Sequence, residues 1–314
     1  MTTDPVTTAT AALLSPQVRL RPGDHRAFYQ DSVEARDRVA EASEAVGVDL
    51  AAALLGAEEA ELNRGAVARP LIVALSVAYY HAAVPVPPDY LAGLSLGQIT
   101  AAHLAGCLSF ADAVRMAHTM ATLEAEEFDG TDYGVYFYSG VDPDRLLAAA
   151  AELDAAGHYL RPCAFVADDQ VIMTGTQSSL AQLAQAAFAL GGAGVVIPYG
   201  PPAHCALMAG VRYRFETTWA PRDPVADPHT PLICNLTAEP LRTGEAVLSA
   251  LVDQYTTAVR WVQSMRTLAA LGVRRVTVPG PGAFIARSLR STAVPLQVST
   301  GPGIDAPAPV GARP

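Results

Sequence analysis

The chain lacks a surplus of basic side chains. Its 31 Asp and Glu outnumber 21 Lys and Arg, for a formal charge of −10. Such a balance argues against nucleic acid as a partner, and an acidic protein partner would have to dock on a local basic patch. Cysteine is sparse. Cys107, Cys163, Cys205 and Cys234 show no C-x-x-C spacing, so neither a disulfide framework nor a zinc site is indicated, and a reduced cytoplasm is the expected compartment. No uninterrupted apolar run reaches the ~18 residues that suggest a membrane span. The best candidate, Pro70 to Pro88, is broken by His81, Pro85, Pro87 and Pro88. The opening MTTDPVTTATAALL has no basic stretch ahead of its apolar residues and reads as a short tail, not a signal peptide. No internal repeat is present. What remains is a 314-residue chain, 51% hydrophobic and 17% charged, ample for a large core with a smaller insertion.

Residues 1–12 and 300–314 are rich in small residues and proline and are expected to be disordered. Between them the apolar spacing predicts a helix over 32–46 and a buried helix over 70–83 that opens on Pro70. A short strand over 90–92 and helices over 96–105 and 109–126 follow. The texture then changes: strand 134–139, helix 143–156, hairpin 161–167 with 170–174, helix 177–190 and strand 193–198. This β-α-β-β-α-β order is that of a ferredoxin-like unit. The remainder returns to α/β alternation, with a helix from Cys205, a strand near 232–235, helices over 244–251 and 259–271, a strand over 275–278 and a turn at Pro279-Gly-Pro-Gly282. The expected division is a large subdomain, 1–128 with 200–314, and a small one, 129–199.

Two short motifs carry chemistry. Gly93-Leu94-Ser95-Leu96-Gly97 is a G-x-S-x-G stretch at a strand-to-helix junction, which holds a serine hydroxyl clear of the backbone. The Leu96 amide would then sit at a helix N-terminus, where an oxyanion is favoured. His204, in Pro202-Ala203-His204-Cys205, opens a helix after a proline-rich loop and offers the base such a hydroxyl needs. A glycine-flanked loop serine and a structural histidine are the plain alternatives.

The chain also resembles the malonyl-CoA:acyl-carrier-protein transacylases and the acyltransferase domains of polyketide synthases. The resemblance runs through AEASEAVGVDL (40–50), AELN (60–63), SVAYY (76–80), AGLSLGQ (92–98), AGCLSFADAVRM (105–116), QVIMTG (170–175), PPAHCALM (201–208), VRW (259–261) and PGPG (279–282). It implies an α/β fold: an α/β-hydrolase-like large subdomain with an inserted ferredoxin-like small one. It makes Ser95 the nucleophile and His204 the general base, with a backbone carbonyl from the Tyr255–Ala258 segment orienting the imidazole. The family's G-Q-G-S-Q segment, which supplies an oxyanion-hole amide, falls on Pro16-Gln17-Val18-Arg19-Leu20. Gln17 keeps the glutamine while both glycines are lost. No tightly bound cofactor or metal is implied; substrates ride on phosphopantetheine, on CoA or on acyl carrier proteins.

The departures from the family pattern share a theme. The arginine that pairs with the malonate carboxylate is replaced by Met120, a soft apolar wall in place of a bidentate donor. The family's histidine before the serine is Leu94, and its Asn-x-Asn pair becomes Ala164 and Val166. Ala203 precedes the histidine. Arg69 stands where the family has glutamine, either in a structural ion pair or as a relocated contact to substrate. These residues predict a pocket for an acyl group without a carboxylate: a starter, aminoacyl or peptidyl unit passed between carrier proteins, in polyketide or macrolactam biosynthesis. An acyl-carrier thioester hydrolase and a degenerate carrier-binding protein are the alternatives, with malonyl transfer through Arg69 a further one. Arg145, Arg212, Arg214, Arg287 and Arg290 are candidates for docking acidic carriers.

Overall fold

The computed structural model describes residues 8–302. Its strands are β1 (Ala9–Leu14), β2 (Tyr90–Gly93), β3 (Tyr133–Ser139), β4 (Leu160–Ala167), β5 (Gln170–Thr176), β6 (Ala193–Val196), β7 (Leu232–Ile233), β8 (Pro240–Leu241), β9 (Val259–Arg260), β10 (Val273–Val278) and β11 (Gln297–Thr300). They form a six-stranded sheet, β11-β10-β1-β2-β7-β8, and a five-stranded one, β6-β3-β5-β4-β9. The first is parallel except for the edge pair β7–β8. The second is antiparallel except where β9 joins β4 in parallel. Four strands of the second sheet, in spatial order β6-β3-β5-β4, come from the inserted ferredoxin-like segment. The fold is the expected α/β-hydrolase-like body carrying that insertion.

The expectation of disorder through residue 12 fails at Ala9, where β1 begins a strand in the middle of the large sheet; residues 1–7 and 303–314 lie outside the described residues. Ala12 and Leu14 face one hydrophobic cluster while Ala11 and Leu13 face the other. A parallel strand buried on both faces needs no polar alternation, so ATAALL carries no strand period to read. The first cluster packs the helices Val33–Val46, Gly65–Ala83, Leu96–Leu104 and Phe110–Phe128 against the sheet. The second lies between the two sheets, around Trp261, Ile233, Ala164 and Val166. A third joins the helices Pro143–Ala155 and Gln177–Ala189 to the small sheet through Leu146, Leu180 and Met173.

Two further differences from the sequence expectations have local causes. The helix predicted to open on Pro70 starts five residues earlier, at Gly65, with Pro70 inside it. Proline cannot donate to the carbonyl of Ala66, and His118 Nδ1 takes that oxygen instead at 3.0 Å. Val259-Arg260 is a strand, not the start of a helix; the helix begins at Trp261. The Gly65–Ala83 helix is long and apolar enough to cross a membrane, but it is mostly buried inside the protein.

Candidate active site

The sharp turn at Ser95 is imposed by close packing. β2 ends at Gly93 and the helix Leu96–Leu104 begins two residues later, with Ser95 held at φ 54°, ψ −113°. A Cβ on Gly93 would lie 2.0 Å from the Gly97 carbonyl oxygen, and one on Gly97 would lie 2.2 Å from the carbonyl oxygen of Leu14 in β1. Both glycines of the motif are therefore required by backbone contact. The turn leaves the Leu96 amide among the first N–H groups of the helix, which have no intrahelical acceptor.

His204 is brought to Ser95 from the far side of the inserted segment. It too sits at positive φ, 54°. Strained backbone at both residues fits side chains that the surrounding fold over-determines. Ser95 Oγ lies 2.7 Å from His204 Nε2. On the other edge of the ring, Nδ1 donates to the Gln254 carbonyl oxygen at 2.6 Å, which leaves Nε2 as the acceptor for the serine proton. The orienting carbonyl thus comes from one residue before the expected 255–258 segment. Burial drives the His204 pKa down to about 4, opposed by the Gln254 carbonyl and reinforced by the nearby Arg69 guanidinium. The imidazole is neutral at pH 7 and able to accept a proton.

Around this pair the chain forms a cleft of about 50 Å³ bordered by Gln17, Arg69, Leu96, Met120, Ala203 and Glu124, among others. The Gln17 segment is held in place by buried Asn63, whose side chain accepts from the Leu20 amide at 2.8 Å and donates to the Leu20 carbonyl at 2.7 Å. Arg69, from the Gly65–Ala83 helix, pairs with Glu124 in a largely buried ion pair, and its Nε donates to Gln17 Oε1 at 2.8 Å. Burial alone would lower the Arg69 pKa, but the Glu124 carboxylate more than offsets it and the net shift is upward. Met120 and Glu124 lie one turn apart on the Phe110–Phe128 helix.

The structure does not bring every expected side chain to the cleft. Leu94, Ala164 and Val166 are packed in the core between the sheets. They do not border the cleft beside Ser95. Glu124 and Tyr255 were not singled out from sequence. Glu124 could have been found, since it stands four residues after Met120 on one helical face; nothing marks Tyr255 beyond its place beside the carbonyl donor. Among the expected docking arginines, Arg212 pairs with Glu216 and Asp253, and Arg214 with Glu126 and Glu127. Arg145, Arg287 and Arg290 are exposed, with no carboxylate partner among the described residues. No group of three or more His, Cys, Asp or Glu side chains converges as a metal site among those residues.

No family model matches the chain. Similarity to individual proteins is extensive. A malonyl CoA-acyl carrier protein transacylase of Escherichia coli K12 is 31% identical over 247 residues, 77% of this chain and 79% of that protein. The polyketide biosynthesis protein ThaF of Burkholderia thailandensis is 31% identical over 259 residues, 81% of this chain but 22% of that longer protein. Among solved structures, a malonyl-transacylase in complex with its type II polyketide acyl-carrier protein has a TM-score of 0.84 at 24% identity, over 93% of this chain and 96% of that one.

Proposed function

Since the chain belongs to the malonyl CoA-acyl carrier protein transacylase family and is, with it, an acyltransferase, we propose that it carries a non-malonyl acyl group from a phosphopantetheine thioester to an acyl carrier protein. The observation that carries this reading is the joint geometry of Ser95, His204 and Met120: a paired nucleophile and base beside a wall with no free guanidinium.

His204 Nε2 takes the Ser95 proton as Oγ attacks the thioester carbonyl. The negative charge that develops on the carbonyl oxygen is met by the amides of Leu96 and Gln17. Collapse of the tetrahedral species breaks the carbon–sulfur bond, and the imidazolium returns its proton to the departing thiolate. The thiol of an acceptor carrier then attacks the acyl-serine with His204 again as base, which regenerates the serine hydroxyl. The Gln254 carbonyl stabilises the imidazolium in both halves.

Malonate is the cargo least suited to the cleft. Its carboxylate would meet Met120 and the Glu124 carboxylate, and the one guanidinium bordering the cleft is already committed to Glu124 and Gln17. The partner class is supported by the related malonyl-transacylase bound to its acyl-carrier protein, and the polyketide setting by the similarity to ThaF. Of the five candidate docking arginines, Arg145, Arg287 and Arg290 are the exposed ones without a carboxylate partner among the described residues and are left to receive an acidic carrier in the cytoplasm. To test the reading, the protein is incubated with acetyl, aminoacyl and malonyl thioesters on CoA and on carrier protein and its intact mass followed. The expected result is a non-malonyl adduct that Ser95→Ala abolishes and that decays faster once acceptor carrier is added. Decay at one rate with or without acceptor would mark a hydrolase; no adduct from any donor would mark a carrier-binding protein.

A further inference from the structure

Beside the nucleophile, the cleft presents more hydrogen-bond acceptors than the protein satisfies. Glu124 gives Oε2 to Arg69, and its Oε1 takes no hydrogen bond among the described residues. Tyr255 borders the same cleft, is only 2% exposed, and its Oη has no partner among the described residues. The phenol lies close enough to the ion pair to feel both charges: burial raises its pKa, Glu124 raises it further and Arg69 opposes this. Gln254, 3% exposed, also borders the cleft, and its side-chain Oε1 is buried without a partner among those residues. A buried polar atom left unpaired costs free energy, so two such atoms and a carboxylate oxygen without a hydrogen bond, all on residues bordering one cleft, point to a place where a ligand completes the bonding. The formal charges bordering the cleft cancel, Arg69 against Glu124 with His204 neutral. Net charge therefore favours neither an anion nor a cation, and hydrogen-bonding capacity decides. An ammonium, with three donors and no acceptor, matches the unmet acceptors.

We propose that Glu124, Tyr255 and Gln254 form a specificity site for the nitrogen of an amino-bearing acyl group, so that the cargo is an aminoacyl unit and not a simple alkanoyl starter. The proposal rests on the acyl-serine reading above and narrows its substrate class. Glu124 supplies the charge-assisted bond, Arg69 keeps that carboxylate oriented and its charge compensated, and Met120 lines the approach without competing for the amine.

The test compares the initial rates at which Ser95 is acylated by small N-acetylcysteamine thioesters, read by intact mass on the wild-type protein. Glycyl and β-alanyl thioesters are set against propionyl and butyryl, which match them in size and lack the charge, and against malonyl. A charge-assisted hydrogen bond predicts that at least one amine substrate loads roughly tenfold or more faster than its neutral counterpart. Glu124→Gln is expected to bring that ratio to about one, and Tyr255→Phe to lower it. The wild-type ratio decides the matter even if a variant fails to fold. Equal or faster loading of propionyl and butyryl would overturn the amine site and leave non-malonyl transfer standing. Fastest loading of malonyl would overturn both.

Discussion

The acid limb of the acylation rate follows from the surroundings of His204. Burial is the main reason its pKa falls from 6.5 to about 4, and Arg69 adds to the shift. Only the neutral imidazole can take the serine proton. At pH 5 a base of pKa about 4 is ~90% neutral, whereas one at 6.5 is ~3% neutral, a difference of about 30-fold in competent enzyme. The pseudo-first-order rate of Ser95 acylation, measured by rapid quench and intact mass at saturating acyl thioester, is therefore expected to stay nearly flat from pH 7 down to about 5 and to fall below that. Stability carries the same signature. With the folded pKa below the unfolded one, the unfolded chain binds more protons between about 4 and 6.5, so stability rises with pH across that window and is fully present above it. An inflection at pH 6.5 or higher in the acylation rate would refute the reasoning, because it would mean that the imidazole is as hydrated as a free histidine.

Other outcomes follow from individual contacts. Gly97→Ala drives a Cβ into the Leu14 carbonyl at 2.2 Å; it is expected to cost roughly 1–3 kcal/mol in a urea melt. Displacing the Ser95 turn by even an ångström is expected to cost ~100-fold in acylation rate. Asn63→Ala strips the partners from both the amide and the carbonyl of buried Leu20; a loss of about 2–4 kcal/mol is expected by chemical denaturation, with slower acylation because the Gln17 segment loosens. His118→Ala frees the Ala66 carbonyl that Pro70 cannot serve, and calorimetry is expected to show a loss of about 1 kcal/mol with acylation unchanged.

Much of the fold was legible because its elements announce themselves locally. The inserted ferredoxin-like unit was readable as alternating strand and helix texture, and the Ser95 turn as a glycine-bracketed serine between a strand and a helix. What escaped depended on distant partners. β1 looked like a tail because both its faces are covered by core, one cluster taking Ala12 and Leu14, the other Ala11 and Leu13. Val259-Arg260 has no strand signature of its own and is a strand only because β4 lies beside it. Pro70 read as a helix start because nothing in its neighbourhood reveals that His118, from another helix, serves the carbonyl it abandons.

The site divides along the same line. Ser95 and His204 were identifiable as motifs, and the structure places them within hydrogen-bond reach. The carbonyl facing Nδ1 was expected one residue too late, since a backbone acceptor leaves no trace in residue type. Leu94, Ala164 and Val166 were read as pocket residues because they replace polar family residues, yet they face the core between the sheets. Arg69 was open between two roles, and the structure shows it paired with Glu124 at the border of the cleft. Sequence spacing cannot pair residues 55 apart on different helices.

The central claim, that Ser95 becomes acylated and that malonate is not the group it carries, is tested most directly by peptide mapping of the acid-quenched protein after exposure to equal concentrations of acetyl, β-alanyl and malonyl thioesters. The account predicts an added mass on the peptide containing Ser95 from the acetyl or β-alanyl donor, absent in Ser95→Ala, with malonyl the least abundant of the three. A stable malonyl ester on Ser95 as the dominant product would contradict it.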